Sequence, residues 1–195
     1  MNNILILYPK EFNSQSKFER KVSRITKNIK DFSISYIEDY NNFISSYFED
    51  VTANKTIADC FDNITHAIVF DDGEEYTKEI DFIKSKNIPL RLIHISITRV
   101  INIKTNTKYD KDNSEYEYIG RGSYWGNPHS MFEHGDTREE VIRKFQYDFD
   151  RDMFINKKKD QVYKLNGKRL GCFCKPSSCH GDVLANYLNS QDDGK

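Results

Sequence analysis

The chain predicts an α/β protein: a parallel, doubly wound sheet with helices on both faces, followed by a small second α/β domain. Three observations carry that expectation. Short apolar runs alternate with stretches of helical period over roughly the first hundred residues, the signature of strand–helix–strand units. A polar stretch without periodicity, KTNTKYDKDNSEYE, interrupts the alternation. After it come a glycine-rich loop, a capped helix, a cysteine-bearing strand and a closing helix. The 195 residues are enough for two small cores, and 13% aromatic residues bring large buried areas that argue against disorder.

ILILY (Ile4 to Tyr8) is a short apolar run ending at Pro9, as a buried first strand requires. From Ser16 to Lys30, Phe18, Val22, Ile25 and Ile29 recur at helical spacing, with Lys and Arg on the other faces. FSISYI (Phe32 to Ile37) predicts a second strand, and Tyr40, Phe43, Ile44, Tyr47, Phe48 and Val51 outline a second helix, followed by a short helical piece near Thr56 to Phe61. HAIVF (His66 to Phe70) is the third strand, and Tyr76, Ile80 and Ile83 form the inner face of a helix ending around Pro89. PLRLIHI supplies the fourth strand. In such sheets ligands sit beyond the carboxyl ends of the strands, which makes Pro9 to Phe12 and Asp71 to Thr77 the candidate loops.

ISITRVINI extends the first domain, so its limits are 1–104, with a linker over 105–116. The second domain covers 117–190: a strand-like YEYI, the loop to His129, a helix opened by Thr137 and Glu140 in capping-box spacing, a strand GKRLGCFC and a helix GDVLANYL. The apolar side of the capped helix is Val141, Ile142, Phe145, Phe149 and Met153. Residues 191–195 are a polar tail.

Lys and Arg number 29 against 30 Asp and Glu, so no global charge draws the chain to nucleic acid or an anionic membrane. No run approaches the roughly 18 apolar residues of a membrane helix, and the start MNNILILYPK lacks the basic segment and cleavage site of a signal peptide. The expectation is a cytoplasmic protein with neither membrane nor nucleic acid as partner. A homo-oligomer or a protein partner stays open.

Three of the four cysteines and one histidine fall between Cys172 and His180. On a strand, Cys172 and Cys174 share a face. The turn at Pro176 brings Cys179 and His180 to the first turn of the closing helix, where the unpaired N–H groups and the dipole favour a thiolate. Four uses compete. Cys172, Cys174, Cys179 and His180 are the ligand types of a zinc site, with His129 or His134 as substitutes for His180. Cys179 would alternatively be a nucleophile with a histidine as base, Asp182 orienting His180. The helix start would alternatively bind phosphate. Or the thiols simply fill a core, as reduced cysteines often do.

The loop IGRGSYWGNPH supplies a second candidate set. Gly122 and its neighbouring glycines allow close backbone approach, Arg121 can grip a phosphate with two parallel hydrogen bonds, and Trp125 is a candidate stacking surface for a base or sugar. Ser123 and Asn127 add polar groups. A tryptophan beside Asn-Pro is equally a packing anchor.

With these residues in view, the segment from about Tyr118 to Leu188 resembles an uncharacterised family widespread in bacteria and bacteriophages, whose signature is an Arg-containing loop running into Trp-Gly-Asn-Pro and then Cys-x-Cys, four residues, Cys-His-Gly-Asp. The resemblance implies one shared site made of Arg121, Trp125, Asn127, Cys172, Cys174, Cys179, His180 and Asp182. A phage-encoded member would work in the host cytoplasm. The segment from Thr52 to Ile93 is similar to the closing half of the SLOG superfamily, Rossmann-like domains that bind or process nucleotides and nucleotide-derived signals, with Asn54, Gly73 and Thr77 where that pattern has its Asn and its Gly-Thr. The phosphate loop expected after the second strand is replaced by NNFISSYFEDV.

Together these lead to a chain that binds and processes a nucleotide, nucleoside or nucleotide-sugar. The alternatives are a non-catalytic binder that sequesters a nucleotide signal or a host protein, and a zinc-stabilised structural module.

Overall fold

A computed structural model describes residues 2–57, 61, 63–106, 108–109 and 113–194, without the side chains of 133 and 134. The helical piece expected near Thr56 to Phe61 therefore falls largely outside the described residues. The chain divides into two compact units, Met1–Ile95 with Ser190–Lys195, and Ser96–Asn189.

The first unit is built on five parallel strands: β1 (Asn2–Leu7), β2 (Phe32–Tyr36), β3 (Ala53–Lys55), β4 (His66–Asp71) and β5 (Leu90–His94), in the order β3-β2-β1-β4-β5. β1 and β4 lie centrally, and their near-continuous apolar runs suit strands covered on both faces. Successive residues point to opposite sides. Leu5, Leu7 and Val69 pack with Ile80 and Ile83 of α3 (Thr77–Ser85). On the other side Phe70 stacks on Phe18 of α1 (Gln15–Thr26), centroids 5.5 Å apart, and Phe43 of α2 (Phe43–Tyr47) packs on Phe18 at the same distance. Helices thus flank both faces, as the sequence predicts. α2 is far shorter than the aromatic period from Tyr40 to Val51 suggests, because Asn42 is left-handed (φ 58°) and Phe48 leaves helical geometry.

The tail expected to be merely polar is fastened to α1. Asp193 pairs with the buried Lys17 at 2.8 Å, and Asp192 takes a two-pronged bond from Arg20, which holds its carboxyl below the ordinary range, at about 2.

The second unit has its own parallel sheet, with β8 (Arg169–Cys172) between β6 (Arg99–Asn102) and β7 (Tyr116–Tyr118). The compact units thus part between residues 95 and 96, where the sequence reading set the first domain's limit at 104. The run around Arg99–Asn102 has the same apolar pattern as the strands before it, but its backbone partner is β8. The segment expected as an inter-domain linker, 105–116, lies inside this unit. Three helices complete it: α4 (Met131–His134), α5 (Arg138–Asp150) and α6 (His180–Asn189), with a 3-10 segment at Lys159–Leu165. Phe145, Phe149, Leu170, Leu184 and Leu188 form its core with Ile119 and Trp125. Met153, placed on the inner side of α5 by the sequence, lies past the end of that helix and is exposed.

Candidate functional site

β8 delivers Cys172 at its end, and the chain then turns, with Ser177 N–H donating to the Cys174 carbonyl at 3.0 Å, so that Cys179 stands immediately before α6. The three sulfurs meet. Cys172 Sγ is 3.2 Å from Cys174 Sγ and 3.3 Å from Cys179 Sγ, and all three lie within 4.8 Å of one another, close enough to hold a metal ion. The Gly181 N–H at the helix start donates to Cys179 Sγ at 3.4 Å, which favours negative charge there. Gly181 lets the helix start pack closely: a Cβ there would lie 2.3 Å from Ile119 Cδ1, and that side chain would have to shift.

The sulfurs share their protons unequally. The hydrogen bond from the Cys179 thiol pulls Cys172 down to about 5 against the effect of burial, with the Cys174 contact adding to it. The same bond, then burial, pushes the Cys179 thiol up; burial and Cys172 push Cys174 up. The shift thus runs down at Cys172 and up at Cys179, the nucleophile candidate of the sequence, which is 1% exposed.

His180 is buried, which lowers its pKa, and its ring stands edge-on to Phe145 at 4.9 Å. Nε2 donates to the Ile119 carbonyl at 3.0 Å, which leaves Nδ1 as the acceptor, 3.6 Å from Cys179 Sγ. That carbonyl, and not Asp182, orients the imidazole. Asp182 accepts from Cys179 N–H at 2.9 Å and pairs with Lys175 at 2.6 Å, so the structure corrects its expected part: it shapes the cysteine turn. His129 is elsewhere engaged, 2.7 Å from Asp148, and the side chain of His134 lies outside the described residues.

The glycine loop reaches the same place. A cavity of about 220 Å³ is lined by the three cysteines, His180, Arg121, His129 and Arg138, with Phe173 among its apolar groups. Arg121 is exposed and extends one guanidinium nitrogen to within 3.5 Å of Ser130 Oγ. Gly122 has φ +84°, so its glycine is required by the turn. Ser123 Oγ donates to the Gly120 carbonyl at 2.8 Å and closes that turn. Asn127 ties the loop to α5, donating to the Val141 carbonyl at 3.0 Å and accepting from His129 N–H at 3.0 Å, so its amide is spent on architecture. Trp125 serves chiefly as a packing anchor and not as the expected stacking surface: it is 3% exposed and stands edge-on to Tyr124 and Phe149, with only a margin of its ring at the wall of a neighbouring recess.

Arg138, Phe173 and the pairing of His129 with Asp148 were not foreseen from the sequence, although His129 itself was named there. Arg138 opens α5, donates to the Ser178 carbonyl at 3.4 Å and lies against the Cys174 thiol. A cation in the first turn opposes the helix dipole, and that misfit was the available signal. The His129–Asp148 pair joins residues 19 apart with no local pattern. Phe173, 52% exposed between two cysteines, looks on sequence like the outward residue of a strand.

A five-stranded parallel sheet in the order β3-β2-β1-β4-β5, flanked by helices, defines a Rossmann-like α/β protein, here joined to a small α/β unit carrying a three-thiol centre. The chain belongs to the minimal SLOG domain family, whose model matches residues 1–101, and at a general level this associates it with nucleotide-related ligands. Residues 101–190 match the Domain of unknown function (DUF4326). The "Uncharacterized 12.4 kDa protein in nrdA-td intergenic region" of Enterobacteria phage T4 is 36% identical over 95 residues, 48% of this chain and 82% of the phage protein. No solved structure matches. Among the described residues no helix is long and apolar enough to cross a membrane.

Proposed function

We propose that the second unit binds and processes a nucleotide, nucleoside or nucleotide-sugar beside a zinc ion held by Cys172, Cys174, Cys179 and His180. The observation that carries this is the shared cavity: two arginines, a paired histidine and the thiol centre line one space. A tetrahedral zinc ion with bonds of about 2.3 Å to sulfur and about 2.0 Å to nitrogen needs edges of roughly 3.8 Å between sulfurs and roughly 3.5 Å from sulfur to nitrogen. The sulfurs stand 3.2 and 3.3 Å apart and all three lie within 4.8 Å of one another, so the thiols close on an ion with shifts of about an ångström or less, whereas His180, with Nδ1 3.6 Å from Cys179 Sγ but outside that group, has to move further to complete the tetrahedron. The Nε2 bond to a backbone carbonyl is the kind that orients ligating imidazoles.

Arg121 and Arg138 hold phosphate through charge-assisted bonds. At about 220 Å³ the cavity is below the roughly 300–1,000 Å³ of drug-sized sites, so it takes the phosphate or sugar end of the ligand, and the exposed Phe173 serves the base in place of Trp125. His129, held by Asp148, is the group to move a proton.

The test is a nucleotide panel against the wild type, the Arg121→Ala/Arg138→Ala double variant and His129→Ala, with native mass spectrometry for metal. We expect one zinc per chain, about 100-fold weaker binding in the double variant, and binding without turnover in His129→Ala. Unchanged binding in the double variant ends the proposal.

A second reading is a non-catalytic binder, and one observation favours it: with His180 as fourth ligand the metal keeps no open position for chemistry. Ligand recovered intact at one per chain would decide for it, including capture of a nucleotide signal.

A further inference from the structure

A second and larger recess in the same unit is unused by the site above. Its volume is about 810 Å³, and four lysines, Lys157, Lys158, Lys164 and Lys168, line it against a single carboxylate, Glu117. Lys168 answers Glu117 at 3.2 Å. That leaves three cations in excess. Lys158 immediately precedes the 3-10 segment, and in a 3-10 turn residues three apart eclipse, so Lys158, Gln161 and Lys164 form one row. Among the described residues the ammonium groups of Lys158 and Lys164 have no hydrogen bond or ion pair. Lys157 is fixed from beneath: its ammonium donates to the Gly126 carbonyl at 2.7 Å and lies 4.9 Å over the Phe154 ring.

The wall beside this row is an aromatic ring held in place. Tyr124 stands edge-on to Trp125, centroids 5.2 Å apart, and its hydroxyl accepts the Lys158 backbone N–H at 2.9 Å, yet the residue is 45% exposed. A pinned ring with an open face next to a row of unneutralised ammonium groups matches the two halves of one ligand type, a flat base and a chain of phosphates.

We propose that this recess binds a nucleoside polyphosphate, its phosphates along Lys158 and Lys164 and its base on Tyr124. The volume lies within the range of small-ligand sites, which favours a mononucleotide over the open track a nucleic-acid strand needs. The proposal does not depend on the thiol cavity.

The test is calorimetric titration of the full chain with ATP, inorganic tripolyphosphate, adenosine and a six-nucleotide single strand. For Lys158→Ala/Lys164→Ala we expect about 100-fold weaker ATP and tripolyphosphate binding, roughly tenfold per lysine. Tyr124→Leu should weaken ATP several-fold and leave tripolyphosphate unchanged. Wild-type affinity in the double lysine variant overturns the proposal, as does a single strand that binds more tightly than ATP through the same lysines. Loss of ATP binding in Arg121→Ala/Arg138→Ala but not in the lysine variant would assign ATP to the thiol cavity and sink this site alone.

Discussion

The two parallel sheets treat the carboxyl ends of their strands in opposite ways. In the five-stranded unit that region is filled. Tyr8 and Phe12 follow β1, Phe70 lies near the end of β4, and these rings pack with Phe18 and Phe43 at centroid distances of 4.8 to 6.3 Å. The N–H groups opening α2, where a phosphate would sit in a nucleotide fold, are already taken: Asp39 accepts from Ile44 N–H at 3.0 Å and from Ser45 N–H at 2.9 Å. In the three-stranded unit the end of β8 opens into a cavity with unsaturated chemistry, thiols and two guanidinium groups. A family fold and a usable site are thus separable. Here, among the described residues, the rings beyond β1 and β4 and the N–H groups opening α2 are engaged within the larger unit, whereas the end of β8 in the smaller one borders a cavity.

The widest separation between the two should come from metal removal. Structural zinc contributes on the order of 10 kcal/mol to folding in small domains, and the thiols sit among Leu170, Leu184 and Phe145 in the core of the second unit. Chelation, or Cys172→Ser, should abolish the thermal transition of the second unit in calorimetry and leave that of the first in place. If neither transition moves, the sulfurs are only packing atoms and the contrast loses its chemical half.

How far this was readable in advance follows from what local pattern encodes. β1, β2, β4 and β5 lie within a residue or two of their apolar runs: the central β1 and β4 are covered on both faces and so almost continuously apolar, and β2 and β5 keep enough apolar residues between polar ones to mark a strand. β3 was not readable: Ala-Asn-Lys carries no apolar pattern and is a strand only through its bonds to the β2 backbone. Arg99–Asn102 was legible as a strand but not as a member of the second sheet, since periodicity says nothing about partners. The return of Cys179 towards Cys172 was legible from the Pro176 turn, but strand alternation did not supply Cys174: β8 ends at Cys172, and Cys174 lies in the turn beyond it. The burial of Trp125 and the His129–Asp148 bond are long-range packing outcomes with no local signature. Asp39 gave no local signal either, because its bonds to the Ile44 and Ser45 N–H groups and to the Tyr8 hydroxyl form only once the chain turns between β2 and α2.

A core substitution should act on the first unit alone. Phe70 is fully buried, 4.8 Å from Phe12 and 5.5 Å from Phe18 in near-parallel stacks. Phe70→Ala should cost about 3–5 kcal/mol through lost burial and a cavity. The first thermal transition should drop while zinc content and nucleotide affinity stay as in the wild type. A fall in nucleotide affinity would return ligand binding to the large sheet.

The smallest effect asks whether Asp39 works as a charge. Burial raises its pKa, but the bond from the Tyr8 hydroxyl and those from the Ser45 and Ile44 N–H groups outweigh burial and hold it below the ordinary value. Burial and the same carboxylate push the Tyr8 hydroxyl far up, so Tyr8 remains the donor. A depressed carboxyl stabilises the fold above its unfolded pKa of about 3.9, and that contribution fades as pH falls through the folded value. Asp39→Asn cannot titrate. At neutral pH it should be less stable by about 1 kcal/mol, a modest figure for a half-buried group, and the difference from wild type should shrink below about pH 4. A gap that persists unchanged at pH 2 would mean that shape, not charge, caps α2.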